Sequence, residues 1–130
     1  LGVAYQGCLN SRYLVSKNQT TTQNVITYVQ MWKHLEFICS GGLEVSAQYW
    51  SCIRATTTSR DADIQACRAP FNNTIFSGGT NQQLCALIPN MTACVQNIFQ
   101  PCGSPVGWVA CEDERLGFAD GCRNLYCSIN

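Results

Sequence analysis

Charged side chains are scarce in this chain. Lys, Arg, Asp and Glu make up 12% of its 130 residues, eight of them basic and eight acidic, and the formal net charge is zero. A protein that binds nucleic acid electrostatically needs a basic surface, which this composition does not supply. No apolar run reaches the roughly 20 residues that cross a bilayer. We therefore expect neither a nucleic-acid partner nor a membrane span.

Metal-binding and cofactor-binding patterns are also missing. His34 is the one histidine, and the closest cysteine pair, Cys122 and Cys127, is not the close C-x-x-C spacing of zinc sites. The acids near residue 112 do not follow the calcium-loop pattern, and no glycine-rich phosphate loop is present. The sequence thus predicts no metal and no cofactor.

Candidate catalytic groups are few. Nucleophilic hydrolysis needs a base beside the nucleophile, and His34 lies between Lys33 and Leu35 in an amphipathic segment, where we interpret it as a solvated helix histidine. Secreted phospholipases A2 are the natural enzymatic comparison for a small, disulfide-bridged helical protein, and they carry an Asp directly after the His. Here Leu35 follows His34, so this match fails. Acids at residues 112–114 suit the first turn of a helix better than a pair of facing carboxylates. We predict no catalytic residue and no enzyme activity.

Cysteine, by contrast, is abundant. Ten cysteines in a chain of this length are typical of a disulfide scaffold in an oxidising compartment, and the even number fits five bridges, although their pairing cannot be deduced from sequence. Since Leu1 is not a Met, we expect that a signal peptide has been removed and that the protein is secreted. The predicted disulfide cysteines are Cys8, Cys39, Cys52, Cys67, Cys85, Cys94, Cys102, Cys111, Cys122 and Cys127.

Three N-glycosylation sequons agree with an extracellular compartment. They begin at Asn18, Asn72 and Asn90. Glycans must lie at the surface, so we expect these residues on loops or at exposed helix ends. The predicted partners therefore include N-linked glycans.

Hydrophobic periodicity predicts one all-α domain over residues 1–130. It is a small disulfide-rich bundle of four to six short helices, preceded by an extended N-terminal arm over residues 1–20. Pro70 and Pro89 are expected to end or kink helices, and residues 71–80 are expected to form a loop. The predicted helices cover about residues 22–39, 43–55, 59–69, 80–88, 90–100 and 111–125.

Residues 69–111 contain no Asp, Glu, Lys or Arg. At ordinary composition such a stretch would carry about ten charges. One interpretation is that it forms the core or is shielded by glycans at Asn72 and Asn90; the other is that it is an interface, because interface centres are depleted in charge. Trp108 is the candidate interface anchor, since aromatic residues dominate binding hot spots. A core role for Trp108 is the alternative.

The segment QLCALIPNMTACVQNIFQPCG, followed by Cys111, Cys122 and Cys127, resembles secreted Cys-rich helical domains of invertebrates, among them the nematode-type extracellular domain of unknown function. The resemblance rests on cysteine rhythm and amphipathic helices over about residues 30–127. It implies an extracellular, non-catalytic glycoprotein domain and transfers no functional residue to this chain.

These features lead to two functional hypotheses. The first is a secreted, non-catalytic binding protein that builds an extracellular assembly, either with another protein or with further copies of itself as a homo-oligomer or polymer. The second is a diffusible effector: a toxin, an inhibitor or a carrier of a small apolar ligand. An internal cavity would distinguish a carrier from a building block. Its expected lining is Leu84, Leu87, Ile88, Ile98 and Phe99.

Overall fold

A computed structural model describes residues 14, 16–17 and 21–129 of the chain. The described part contains helices and no strand, which confirms the predicted all-α, disulfide-rich bundle. Most of the expected arm over residues 1–20, including Cys8 and Asn18, lies outside the described residues. The helices are α1 (Thr22–Ile38), α2 (Leu43–Gln48), α3 (Trp50–Ser59), α4 (Asp61–Phe76), α5 (Asn81–Phe99), a 3₁₀ turn (Gln100–Cys102) and α6 (Ser104–Leu116).

Two prolines that were expected to end helices lie inside them. Helix α4 continues past Pro70 to Phe76, through most of the predicted loop, and α5 continues through Pro89. The residues next to these prolines are deeply buried: Phe71 stacks edge-on against Phe118 with ring centroids 4.7 Å apart, and Ile88 is fully buried. Tertiary packing of these side chains outweighs the missing backbone hydrogen bond.

Two further helix boundaries also differ from the expectation. The predicted helix over residues 43–55 is two helices, α2 and α3, which meet at Tyr49. The last helix begins at Ser104 rather than near Cys111. Pro105 suits this start, because the N–H groups in the first turn of a helix have no acceptor within the helix and proline carries no N–H. Ser104 and Pro105 therefore form the N-terminal turn of α6.

Helix α5 runs through the centre of the bundle. It contributes Val95, Ile98 and Phe99 to one hydrophobic cluster, and Ile88 and Met91 to a second. Most of the buried hydrophobic residues fall in the charge-free stretch, so burial accounts for part of its charge gap. They are Phe71, Ile88, Met91, Val95, Ile98, Phe99, Val106, Val109 and Cys111.

Four disulfides connect this central part. They are Cys52–Cys102, Cys67–Cys94, Cys85–Cys122 and Cys111–Cys127. Cys39, just after α1, is exposed and has no disulfide among the described residues. Because the other eight cysteines are paired, Cys8 is the one partner left for it. The fifth disulfide expected from the even number of cysteines therefore remains a prediction, with Cys8 and Cys39 as the two residues that would form it.

Candidate functional site

An apolar cavity of about 460 Å³ lies between α1, α4, α5 and the segment that follows α6. Polar groups from Ser16, Asn81 and Asp120 also line it. Small-molecule sites in proteins are typically apolar clefts of about 300–1,000 Å³ with a few polar groups, so its size and chemistry fit a ligand. The apolar lining consists of Val25, Ile26, Val29, Phe71, Leu84, Ile88 and Phe118.

The cavity matches the predicted ligand cage only in part. Leu84 and Ile88 line it, as expected, one turn apart on α5. Leu87 packs against the second hydrophobic cluster instead, while Ile98 and Phe99 belong to the first. Ile98 is ten residues beyond Ile88, or about 15 Å along the helix axis. One small cavity cannot reach both ends of that helix.

Three consecutive acids on α6 form a second feature, which we call the acidic hub: Glu112, Asp113 and Glu114. Each of them is paired with a different cation. The Glu112 carboxylate accepts from the Arg115 guanidinium, with the Nε–Oε1 distance 3.0 Å and the Nη2–Oε2 distance 2.5 Å. The Glu114 carboxylate accepts from Arg68 of α4, with an Nε–Oε1 distance of 2.9 Å. The Glu114 pair therefore links α6 to α4, whereas the Glu112 pair lies within α6 itself.

Asp113 carries the third pair. Its carboxylate oxygens lie 2.5 and 2.6 Å from Nδ1 of His34 on α1. Asp113 is mostly buried, whereas half of the His34 side chain is exposed. His34 and Asp113 line two smaller clefts on either side of the hub, of about 240 and 330 Å³. The imidazole thus links α1 to α6.

The expectation that these acids begin a helix is wrong. They lie in the last turns of α6, at the negative end of the helix dipole, where carboxylates are disfavoured. The partners Arg115, His34 and Arg68 compensate this by direct pairing. Successive helical positions point about 100° apart, so three adjacent acids reach three different directions. Three adjacent acids on one helix were therefore the signal for the hub in the sequence, although this pattern does not identify the residues that pair with them.

The hydrogen bond that His34 Nδ1–H donates to the Asp113 carboxylate raises the pKa of His34 above its usual value of 6.5, and the desolvation of the ring partly offsets this. A raised folded-state pKa adds stability that is present below the unfolded pKa and is lost as the pH rises through the folded pKa. We expect the stability difference between wild type and His34→Gln to be present at pH 5 and to vanish at pH 9. It should stay below about 1 kcal/mol because the ring is half exposed. Urea unfolding across this pH range measures it; a constant difference contradicts a role for ring protonation.

The other predicted site residues lie as follows. Trp108 is half-buried on α6 and contacts Phe37 of α1 edge-on, with centroids 6.4 Å apart, so its interface role stays a prediction. Asn72 is half-buried inside α4, and Asn90 is exposed inside α5. Both sequons were expected on loops or helix ends, and this is wrong because α4 and α5 continue through the prolines next to them.

Two further findings concern residues 14, 16–17 and 21–129. No helix there is long and apolar enough to span a membrane. No group of three His, Cys, Asp or Glu side chains in that part is placed to hold a metal ion.

Comparisons with known proteins do not add to this description. No protein-family model, curated protein or solved structure matches the chain.

Proposed function

We propose that this chain is an extracellular, non-catalytic binding protein that holds a small apolar ligand in the cavity between α1 and the rest of the bundle. The cavity itself is the observation that carries the proposal. The four described disulfides are compatible with an oxidising compartment. Of the two hypotheses from the sequence, an apolar cleft of this size favours a carrier over a building block.

The chemistry of the cavity walls supports an apolar ligand. The walls include Val25, Phe71 and Ile88, which are 2%, 5% and 0% exposed, so this space reaches the hydrophobic core. An apolar ligand would cover part of this apolar surface and remove it from water, which is favourable by about 25 cal/mol per Å².

Filling the cavity with a side chain tests the proposal. Ile26→Trp, on α1, places an indole in the space that the ligand needs, and we expect at least a tenfold loss of affinity for an uncharged fluorescent probe such as N-phenyl-1-naphthylamine. Leu35→Trp, also on α1 but exposed, is the matched control and should bind as wild type does. Fluorescence titration measures both. Equal affinity of the two variants, or no saturable binding by the wild-type protein, would contradict the proposal.

Self-assembly is the second candidate function, and exposed side chains on α1 favour it. Tyr28, Met31 and Leu35 are each more than 40% exposed and recur at helical spacing along one face. The charge-free stretch offers less, because Phe76 is the one large hydrophobic side chain within it that the structure leaves clearly exposed. An association through α1 therefore fits better than one through residues 69–111.

Light scattering across a dilution series tests this second candidate. We expect an assembling protein to show a molar mass at several multiples of one glycosylated chain, and Met31→Arg to lower that mass by placing a charge in the apolar face. Gln48→Arg, on the exposed surface of α2, is the control for added charge. A monomer at high concentration excludes self-assembly.

A further inference from the structure

We propose that α1 is the movable wall of the cavity, that the ligand enters and leaves when α1 separates from the disulfide-linked body, and that ion pairs from Lys33 and His34 hold it closed. The disulfide-linked body is residues 50–129. This inference rests on the function proposed above, since it concerns the entry to that same cavity. It adds how the site opens and which conditions favour release.

The covalent connections divide the cavity walls into two sets. Phe71, Leu84 and Ile88 lie on α4 and α5, which the Cys67–Cys94 bridge joins, and the Cys85–Cys122 bridge joins α5 to the segment after α6. No described disulfide joins α1 to this body. Cys39 is the one cysteine next to α1, and Cys8 is its one possible partner, so any fifth bridge would lead to the N-terminal segment.

The side of the cavity that α1 forms is held by non-covalent contacts. Val25, Ile26 and Val29 from α1 line the cavity, so moving α1 opens it directly. Of the side chains described on α1, Val25, Val29 and Phe37 are buried, whereas α5 buries seven residues. Regions with few buried apolar contacts open at lower free energy than the core does. Among the helices that form the cavity walls, the first opening is therefore expected at α1, because the Cys67–Cys94 bridge holds α4 and α5 together.

Two adjacent residues of α1 make its ion pairs with the body. Lys33 Nζ lies 3.6 Å from Oδ2 of Asp120, a residue that also lines the cavity, and His34 Nδ1 lies 2.5 Å from Oδ2 of Asp113. Both pairs are partly exposed, so each adds a modest amount to the closed state. Such contacts can be broken on the timescale of ligand exchange, which a disulfide cannot.

The charges around His34 give the closure a pH dependence. Asp113 and Glu114 of α6 face the imidazole and favour its charged form, Arg68 of α4 opposes it, and Lys33 and Glu36 are its charged neighbours on α1 itself. The Asp113 hydrogen bond dominates and raises the pKa of His34. The imidazole is therefore charged at mildly acidic pH, and the pair weakens as the pH rises through the folded-state pKa of His34, so release should be faster at alkaline pH.

The test combines ligand release with hydrogen exchange on the full-length protein. N-phenyl-1-naphthylamine is bound, and its dissociation rate is measured by stopped flow between pH 5 and pH 9. We expect Lys33→Met and His34→Gln each to speed dissociation at pH 5 by about two- to fivefold, and His34→Gln to flatten the pH profile. Arg60→Gln is the control, because it breaks the exposed Arg60–Asp63 pair on the body, and it should leave the rate unchanged.

Hydrogen exchange of the ligand-free protein supplies an independent readout. We expect the amides of α1 to exchange faster than those of α5, and bound probe to slow the exchange of α1 more than that of α5. If α1 and α5 exchange together, or if both substitutions leave dissociation unchanged while the probe still binds, the movable wall is wrong and the proposed function survives. If the wild-type protein binds no probe, both are wrong.

Discussion

Replacing Cys52 and Cys102 together by Ala is expected to lower the free energy of unfolding by about 3.5 kcal/mol. This bridge joins α3 to the 3₁₀ turn and has a sequence separation of 50, the largest of the four described disulfides. Because the Cys67–Cys94 bridge lies inside this segment and stays intact, the loop that the replacement opens is about 25 residues long in the chain-entropy model. Urea unfolding followed by circular dichroism measures the loss.

The Cys111–Cys127 bridge is the matched comparison, because its sequence separation is 16. Its double replacement by Ala should cost about 3 kcal/mol, roughly 0.4 kcal/mol less than the loss at Cys52 and Cys102. The dependence of stability on urea concentration shows whether the unfolded state has also changed in compactness. If the shorter loop proves the more costly one to open, packing around the sulfur atoms outweighs chain entropy in this protein.

The sequence predicted the helical class because that signal is local and repeated. Periodic apolar residues mark α5, and in the structure a Thr80–Gln83 capping box with reciprocal hydrogen bonds begins this helix. The helix ends were predicted less well, at Pro70, Pro89 and Ser104. At the two prolines burial of tertiary partners decides the outcome: Phe71 needs Phe118, 47 positions later, before continuing past Pro70 becomes favourable.

The candidate site was predictable only in fragments. Leu84 and Ile88 could be assigned to one face of α5, but the cavity that they line is completed by α1 and by the segment after α6, whose positions depend on tertiary packing. His34 was interpreted as a solvated helix histidine, and half of it is indeed exposed. Its partner Asp113 is 79 positions away, and no local pattern encodes that pairing.

The acidic hub links α6 to two of the helices that line the cavity. Asp113 binds α1, Glu114 binds α4, and both of those helices contribute side chains to the cavity walls. Glu112 is 9% exposed, and its partner Arg115 comes from the same helix. The Glu112–Arg115 pair therefore neutralises a buried charge within α6 and links it to neither helix.

Breaking this pair is expected to have the second largest effect on stability. Arg115→Met keeps much of the length of the side chain but leaves the Glu112 carboxylate buried without its cation, and removing one partner of a buried ion pair costs about 3 kcal/mol. Arg60→Met, at a pair whose side chains are about half exposed, is the control and should cost less than about 1 kcal/mol. Urea unfolding at pH 7 compares the two.

The double variant Glu112→Gln with Arg115→Met separates the buried charge from the contacts of the arginine. If the loss comes from an unpaired buried carboxylate, a neutral amide at residue 112 should recover most of it, because the double variant leaves no buried charge behind. If the double variant is as unstable as Arg115→Met alone, the packing of the arginine stem on α6 carries the stability. In that case ion pairing would compensate for only two of the three adjacent acids near the negative end of α6. These two are Asp113 and Glu114, which are paired with His34 and Arg68.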